Sequence, residues 1–421
     1  MFQLGCRPRN LSLICVVVLG LSNLLLTFLL LQGEPCNHTS TKLAESQKHQ
    51  QPQHDQPEVT DAVIEPCPTL ATFNDQKPEN LQHQLLNSEP TEESSSLELD
   101  IRLGRWDSRR LYRMFDAALV GSRFVELSES SKVCLATQSS LEKLGTLVQV
   151  VHQWTGPISV ALFAAGDEEF EALQRYLEYL RRCYASVRER VLFSMAIPKS
   201  RPPKQQPRYY PLDDFLDCRK PEASLLKIMG SISSEQNSWR IRNVYPQNHM
   251  RNLARNNCHS EYVFLTDVDI VPSSNMSKVL DEFLASAEPR ACDKCAYVIP
   301  TFELDARVRF PQNKSDLVRL SKKGLARPFH QKVFIHNQFA TDFTRWMQDA
   351  TPLVQASSDK EHQQQNHASS TKSVGAYVSH DVTNFEFLYE PFYVARDHVP
   401  PHDERFMGYG YTRNTQVGHK D

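Results

Sequence analysis

Between residues 133 and 302, short apolar runs alternate with amphipathic stretches of helical period. Val133-Cys134-Leu135-Ala136-Thr137 reads as a strand, and the pattern from Leu141 to Gln153 as a helix. Ile158 to Phe163 is a second strand, followed by an amphipathic helix from Glu168 to Tyr184. Val191 to Met195 is a third strand. Met250 to Asn256 predicts a helix ahead of an apolar strand that starts at Tyr262, and Ala296 to Phe302 predicts another strand. Strands separated by helices imply βαβ units, hence an α/β, Rossmann-like fold: a mixed, mostly parallel sheet with helices on both faces. Ligands bind such sheets at the carboxyl ends of the strands, where Thr137 and the pair Asp267 and Asp269 would fall.

Upstream the pattern changes twice. Leu11 to Leu31 carries no charged residue, and its 21 positions suffice to span a bilayer as a helix. That length exceeds the apolar region of a cleaved signal peptide and predicts a retained signal anchor. Arg7 and Arg9 precede it, so residues 1–10 form a cytosolic tail and the rest of the chain is lumenal. The segment is only just long enough, which suits a thin secretory-pathway membrane, the Golgi for preference. Residues 32–105 are rich in Gln, Glu, Ser and Pro, with Phe73 their only aromatic. Such a composition buries too little to fold and predicts a flexible lumenal stem, leaving 106–421 as the catalytic domain. Within that domain Pro198 to Pro211 and Ala356 to Thr371 read as surface loops.

Charge excludes more than it suggests. Lys and Arg number 47 against 50 Asp and Glu, so nothing points to nucleic acid. Eight of the ten cysteines (36, 67, 134, 183, 218, 258, 292 and 295) lie on the lumenal side, where disulfides are permitted. Cys292-Asp293-Lys294-Cys295 lacks the second ligand pair of a structural zinc site and reads as a disulfide or two free thiols. Asn37, Asn275 and Asn313 open lumenal glycosylation sequons.

The candidate chemistry begins at Leu265-Thr266-Asp267-Val268-Asp269. Strand alternation puts Asp267 and Asp269 on one side, two hard oxygen donors suited to Mn²⁺ or Mg²⁺ beside a substrate diphosphate. Arg251 and Arg255 lie one helical turn apart just upstream. They form either a phosphate-binding face or a solvated basic stripe with Leu253 and Ala254 turned inward. Further on, Asp403 and Glu404 precede a Gly-rich aromatic stretch. They can supply a general base for an attacking sugar hydroxyl, or simply sit at a helix N-terminus. A metal-dependent phosphohydrolase often carries a second metal cluster, none is apparent in the sequence, and that reading carries little weight.

Longer runs carry a resemblance. They are Tyr245-Pro246-Gln247-Asn248-His249-Met250-Arg251-Asn252-Leu253-Ala254-Arg255, Leu265 to Ser273, Leu135-Ala136-Thr137 and Trp154-x-Gly156-Pro157-Ile158-Ser159-Val160. Asn313-Lys314-x-x-Leu317-Val318, Arg327-Pro328-Phe329, Glu390 to Val394 and Asp403-Glu404-Arg405-Phe406 complete them. Together they resemble the β1,4-glucuronyltransferase family, which includes the glucuronyltransferase domain of the bifunctional enzymes of matriglycan synthesis. The resemblance covers about residues 133–416. It implies a GT-A fold, Mn²⁺, UDP-glucuronic acid as donor and a terminal β-xylose as acceptor. The linkage would be β1,4, formed with inversion, on O-mannosyl glycans of dystroglycan-type glycoproteins. It also implies Asp267 and Asp269 as the metal pair, with Asp269 the favoured direct ligand. Thr137 would lie by the uridine, Arg251 by the donor, and Asp403 or Glu404 would be the acceptor-side base.

The resemblance stops before the family does. Its members continue for several dozen residues past Gly408-Tyr409-Gly410 and supply a His to the metal shell, whereas this chain ends at Asp421. His419 lies in a tail that does not match and is not given that role. The expectation is a domain truncated at its C-terminus. Beside the active enzyme stands a second expectation: an inactive product, or a non-catalytic partner of other glycosyltransferases.

Overall fold

The computed structural model describes residues 99–204, 216–286, 292, 294–349, 375–384, 388–408, 410 and 412–417. Ten strands run through them: β1 (Arg105–Trp106), β2 (Tyr112–Leu119), β3 (Val133–Ser140), β4 (Ile158–Phe163) and β5 (Val191–Pro198), then β6 (Tyr262–Leu265), β7 (Ala296–Val298), β8 (Phe302–Leu304), β9 (Ala326–Pro328) and β10 (Tyr393–Arg396). Eight of them form one mixed sheet in the order β1-β2-β5-β4-β3-β6-β10-β7, and β8 pairs with β9. The four central strands, β5, β4, β3 and β6, are parallel. The flanking strands are antiparallel. β3, β4 and β5 are buried at every position, as strands covered on both faces must be.

Connectivity fixes where a ligand can go. From β3 the chain steps to β4 and β5 on one side, then returns to place β6 on the other side of β3. That reversal opens a crevice between β3 and β6 at their carboxyl ends. β3 outruns its neighbour there: the ladder ends at Ala136 opposite Leu265, while β3 continues to Ser140. Residues past Ala136 therefore line the crevice on one side, and residues past Leu265 on the other.

Alternation along β3 separates two cores. Val133 and Leu135 pack on one face with residues of the helices Leu147–Gln153, Gly166–Cys183 and Met276–Leu284. Cys134 and Ala136 pack on the other with Met250, Leu253 and Ala254 of the helix Gln247–Asn256. A disulfide between Cys134 and Cys258 fastens that helix's end to β3. Two more join Cys183 to Cys218 and Cys292 to Cys295, which resolves the CxxC motif as a disulfide.

Several elements depart from the sequence pattern. β3 does not stop at Thr137, because Gln138, Ser139 and Ser140 still pair with β4. The stretch from Ala296 to Phe302 is two strands in two sheets, broken at Pro300, which has no N–H for a ladder. Ile299 N–H donates to Phe392 and Phe329 N–H to Thr301, so the chain changes sheets across that proline. The folded region also reaches into the expected stem: Leu99 is buried in the core and Arg105 pairs with Met114. Among the described residues no helix is long and apolar enough to cross a membrane. The run from Leu11 to Leu31, Asn37 and His419 lie outside those residues, as do all of Ala356 to Thr371 and part of Pro198 to Pro211. Asn275 and Asn313 are both exposed; Asn313 caps a helix by accepting from Asp316 N–H through its side-chain oxygen.

Replacing Cys134 and Cys258 together by Ala should lower unfolding stability by about 2–4 kcal/mol, because it releases a long loop in the unfolded chain. Urea denaturation measures this, and an unchanged midpoint would refute it.

Candidate functional site

β6 delivers Asp267 into the crevice. Thr266 N–H donates to Ala136 O at 2.9 Å, which carries the parallel register one residue past the strand. Ile270 N–H then donates to Asp267 O, turning the chain. Val268 is buried in the core, and its carbonyl accepts from Thr146 Oγ1 at 3.1 Å. The segment after β3 thus braces the acidic turn, and the two carboxylates point outward.

Asp267 is surrounded by donors. Its Oδ1 lies 3.0 Å from Arg413 Nη2 and 3.4 Å from Arg251 Nη2, and it accepts from Gln138 Nε2 at 3.3 Å. Burial alone would raise its pKa, but Arg413 and Arg251 hold it well below the usual carboxylate range. Burial pulls Arg251 down to about 10, with Arg413 adding to the effect and Asp267 opposing it, so the guanidinium stays charged at neutral pH. All three contacts fall on Oδ1, and among the described residues Oδ2 carries none. Asp269 is half exposed, with Lys143 Nζ 3.6 Å from its Oδ2.

The arginine pair on the helix Gln247–Asn256 divides its work. Arg251 turns toward Asp267, and its Nη1 donates to Asn248 Oδ1 and to Thr412 Oγ1. Arg255 points elsewhere. It donates to Asp397 Oδ1 at 2.8 Å, to Pro400 O at 2.9 Å, and to the carbonyls of Asp397 and Val399. Both side chains are buried, so neither forms a solvated stripe. Arg255 anchors the segment 397–400 and is not brought to Asp267.

Thr137 is not brought there either. Strand alternation sends it to the face of Val133 and Leu135, while Gln138 shares the face of Ala136, Leu265 and Asp267. Its hydroxyl is buried without a hydrogen-bond partner among the described residues. Gln138, rather than Thr137, faces Asp267, and its Oε1 accepts from Tyr245 Oη at 2.5 Å.

Asp403 and Glu404 lie in a loop docked on the same helix. Asn252 holds that loop through a reciprocal pair with the His402 backbone, both bonds at 2.9 Å. Asn248 Nδ2 donates to Asp403 O. The Asp403 carboxylate grips Arg405 through its backbone N–H, Nε and Nη2. Glu404 accepts from Asn252 Nδ2 at 3.1 Å, and its Oε2 is 3.5 Å from His249 Nε2. The same His249 nitrogen is 3.5 Å from Asp107 Oδ2. Burial keeps His249 below its ordinary pKa despite Glu404 and Asp107, so the ring is neutral. His402 is neutral as well: burial, then Arg251, Arg413 and Arg255, depress it strongly.

Gln138, Tyr245 and Arg413 belong to the site without having been singled out from sequence. Tyr245 lies in a matching run, but Arg413 is 146 residues from Asp267 and only the return of the chain after β10 brings it there. Its Nη1 also donates to Leu265 O at 3.1 Å, and its guanidinium stacks on Phe392.

A parallel central sheet with an acidic pair at its switch point and buried arginines beside it fits a GT-A-type glycosyltransferase. Comparison with known proteins bears out the glycosyltransferase class: residues 132–419 match the family model described as "Glycosyl-transferase for dystroglycan". The chain belongs to that family. It is 32% identical over 291 residues to a protein of Bos taurus named beta-1,4-glucuronyltransferase 1, covering 69% of this chain and 63% of that one. The Homo sapiens protein of that name is 31% identical over the same span and shares. The Gallus gallus protein named xylosyl- and glucuronyltransferase LARGE1 is 24% identical over 352 residues, 83% of this chain and 35% of its own length. The chain thus spans less than two thirds of the length of these relatives.

Two outcomes follow from the electrostatics. Because the folded pKa of Asp267 is depressed, its contribution to stability is full above the unfolded value of about 3.9 and is lost as pH falls below it. Asp267→Asn, measured by denaturation with a chelator present, should therefore be most destabilising at neutral pH and converge on wild type in acid. A penalty independent of pH would refute the assignment. Arg255→Met should cost about 2–4 kcal/mol by leaving Asp397 and several carbonyls unpaired. The donor KM should change little, and a raised KM at unchanged stability would restore Arg255 to the donor site.

Proposed function

We propose that the chain is a β1,4-glucuronyltransferase that transfers glucuronate from UDP-glucuronic acid to a terminal β-xylose with inversion. It acts from the Golgi lumen as a single-pass type II membrane protein, on O-mannosyl glycans of dystroglycan-type glycoproteins. The observation that carries the proposal is Asp267 at the switch point with Arg251 and Arg413 beside it. The relatives named as glucuronyltransferases support the choice of sugar. The uncharged run from Leu11 to Leu31 supports the location, and three disulfides agree with an oxidising compartment.

The acidic pair suits a divalent ion. Asp267 Oδ2 and the half-exposed Asp269 carboxylate are hard oxygens facing the crevice, and they would hold Mn²⁺, with Mg²⁺ as a substitute. Bound there, the ion supplies Lewis-acid neutralisation of the diphosphate. The chain's own residues do the rest. Arg251 and Arg413 are fixed cations, buried beside Asp267 before the donor arrives, and their charge would favour a diphosphate in the crevice without reorganising. Gln138, clamped by Tyr245, keeps Asp267 oriented. The xylose 4-hydroxyl oxygen attacks the anomeric carbon, the bond from that carbon to the phosphate oxygen breaks, and UDP departs. The hydroxyl proton passes to a carboxylate of the Asp403–Glu404 loop.

Purified protein should transfer glucuronate to a β-xyloside in the presence of Mn²⁺, and Asp269→Asn should lower kcat by about a hundredfold or more. A folded wild-type protein with no transfer would instead favour a non-catalytic partner within a glycosyltransferase complex. Wild-type rates in Asp269→Asn would refute the metal assignment.

A further inference from the structure

A second constellation lies beside the helix Gln247–Asn256, around His249. Asp107, in the turn between β1 and β2, His249 and Glu404 bring one ligand atom each within 4.8 Å of one another. His249 is fully buried, and neither ring nitrogen has a hydrogen-bond partner among the described residues. A buried imidazole facing two carboxylates with neither nitrogen hydrogen-bonded is an unsatisfied arrangement, costly unless something joins the three. Both acids are already oriented by hydrogen bonds. Asp107 Oδ1 accepts from the N–H groups of Leu111 and Tyr112, and Oδ2 from that of Arg109. Glu404 Oε1 accepts from Asn252. Such outer hydrogen bonds orient ligands in metal sites.

We propose that Asp107, His249 and Glu404 form a second divalent-cation site, separate from the acidic pair, and that it takes zinc. The donor set is one imidazole nitrogen and two carboxylate oxygens, with charges that cancel those of the ion. Two of the three ligand spacings suit a tetrahedral zinc ion. Tetrahedral zinc with bonds of about 2.0–2.2 Å sets its ligand atoms about 3.3–3.5 Å apart. Nε2 of His249 lies 3.5 Å from each carboxylate oxygen. Octahedral Mg²⁺ at about 2.0–2.1 Å calls for neighbouring oxygens about 2.9 Å apart, closer than these. The ion ties three segments together: the β1–β2 turn, the helix and the 402–404 loop. Resting on the glucuronyltransferase reading, one consequence is that Glu404 is engaged as a ligand and Asp403 is left as the acceptor-side base.

Metal content tests the site independently of transfer. The full chain, purified without a metal-affinity step and equilibrated with zinc, is assayed by elemental analysis together with its Asp267→Asn/Asp269→Asn double variant. Each should retain one equivalent of zinc through gel filtration, and zinc should raise the thermal midpoint. Adding His249→Gln to the double variant should abolish both effects. Should that variant fail to fold, Co²⁺ loaded into the double variant should give the intense visible bands of a tetrahedral site. Folded double variant that holds no metal, retention of zinc after His249→Gln, or octahedral cobalt spectra would each overturn the proposal. None of these readouts depends on activity, so a failed transfer assay would leave them intact.

Discussion

One partly buried carboxylate organises the site. Asp267 lies at the mouth of the β3–β6 crevice, and its ionised form is stable there only because Arg251 and Arg413 face the same oxygen. A carboxylate and two guanidiniums withdrawn from water are costly separately and tolerable together. The cluster therefore imposes its geometry on everything around it. The helix Gln247–Asn256 must pack so that Arg251 reaches the crevice, and the chain after β10 must return so that Arg413 does. Phe392 beneath the Arg413 guanidinium and the Leu265 carbonyl beside it leave that side chain little freedom.

The helix Gln247–Asn256 bears functional groups almost all round, which explains why nearly all of it is buried. Met250, Leu253 and Ala254 face the sheet, and Ser159 Oγ donates to the Ala254 carbonyl. Arg251 serves the acidic turn, Arg255 the 397–400 segment, Asn248 and Asn252 the 402–404 loop, and His249 the β1–β2 turn. Its register is pinned from several directions at once. Substitutions at these positions are coupled through shared partners and will not act additively.

Much of this was legible in the chain, and the gaps have physical causes. β4 runs from Ile158 to Phe163 as its apolar run indicates, and the acidic pair stands at a strand end as its position after Tyr262 to Leu265 implies. β3 is longer than its apolar run because Gln138, Ser139 and Ser140 look like loop residues yet find ladder partners on β4. Thr137 illustrates a parity limit: a motif read as letters does not say which face a side chain takes, and here it is Gln138, not Thr137, that meets Asp267. Arg413 was beyond reach of any local pattern. Its significance comes from a contact across 146 positions, and nothing around it distinguishes it from a surface arginine.

Arg413 also sets an order of events. During synthesis, β3, β4, β5, the helix bearing Arg251 and β6 all leave the ribosome well before the residue that completes the neutralisation of Asp267. Until β10 and the chain past it emerge and fold back, the nascent domain holds an acidic turn that is incompletely compensated and a sheet in which β6 lacks its β10 neighbour. The β3–β6 crevice is thus the last part of the sheet to close, long after its strands exist. An interrupted nascent chain would carry most of the recognisable motif without the completed crevice, the kind of half-built species on which chaperones act.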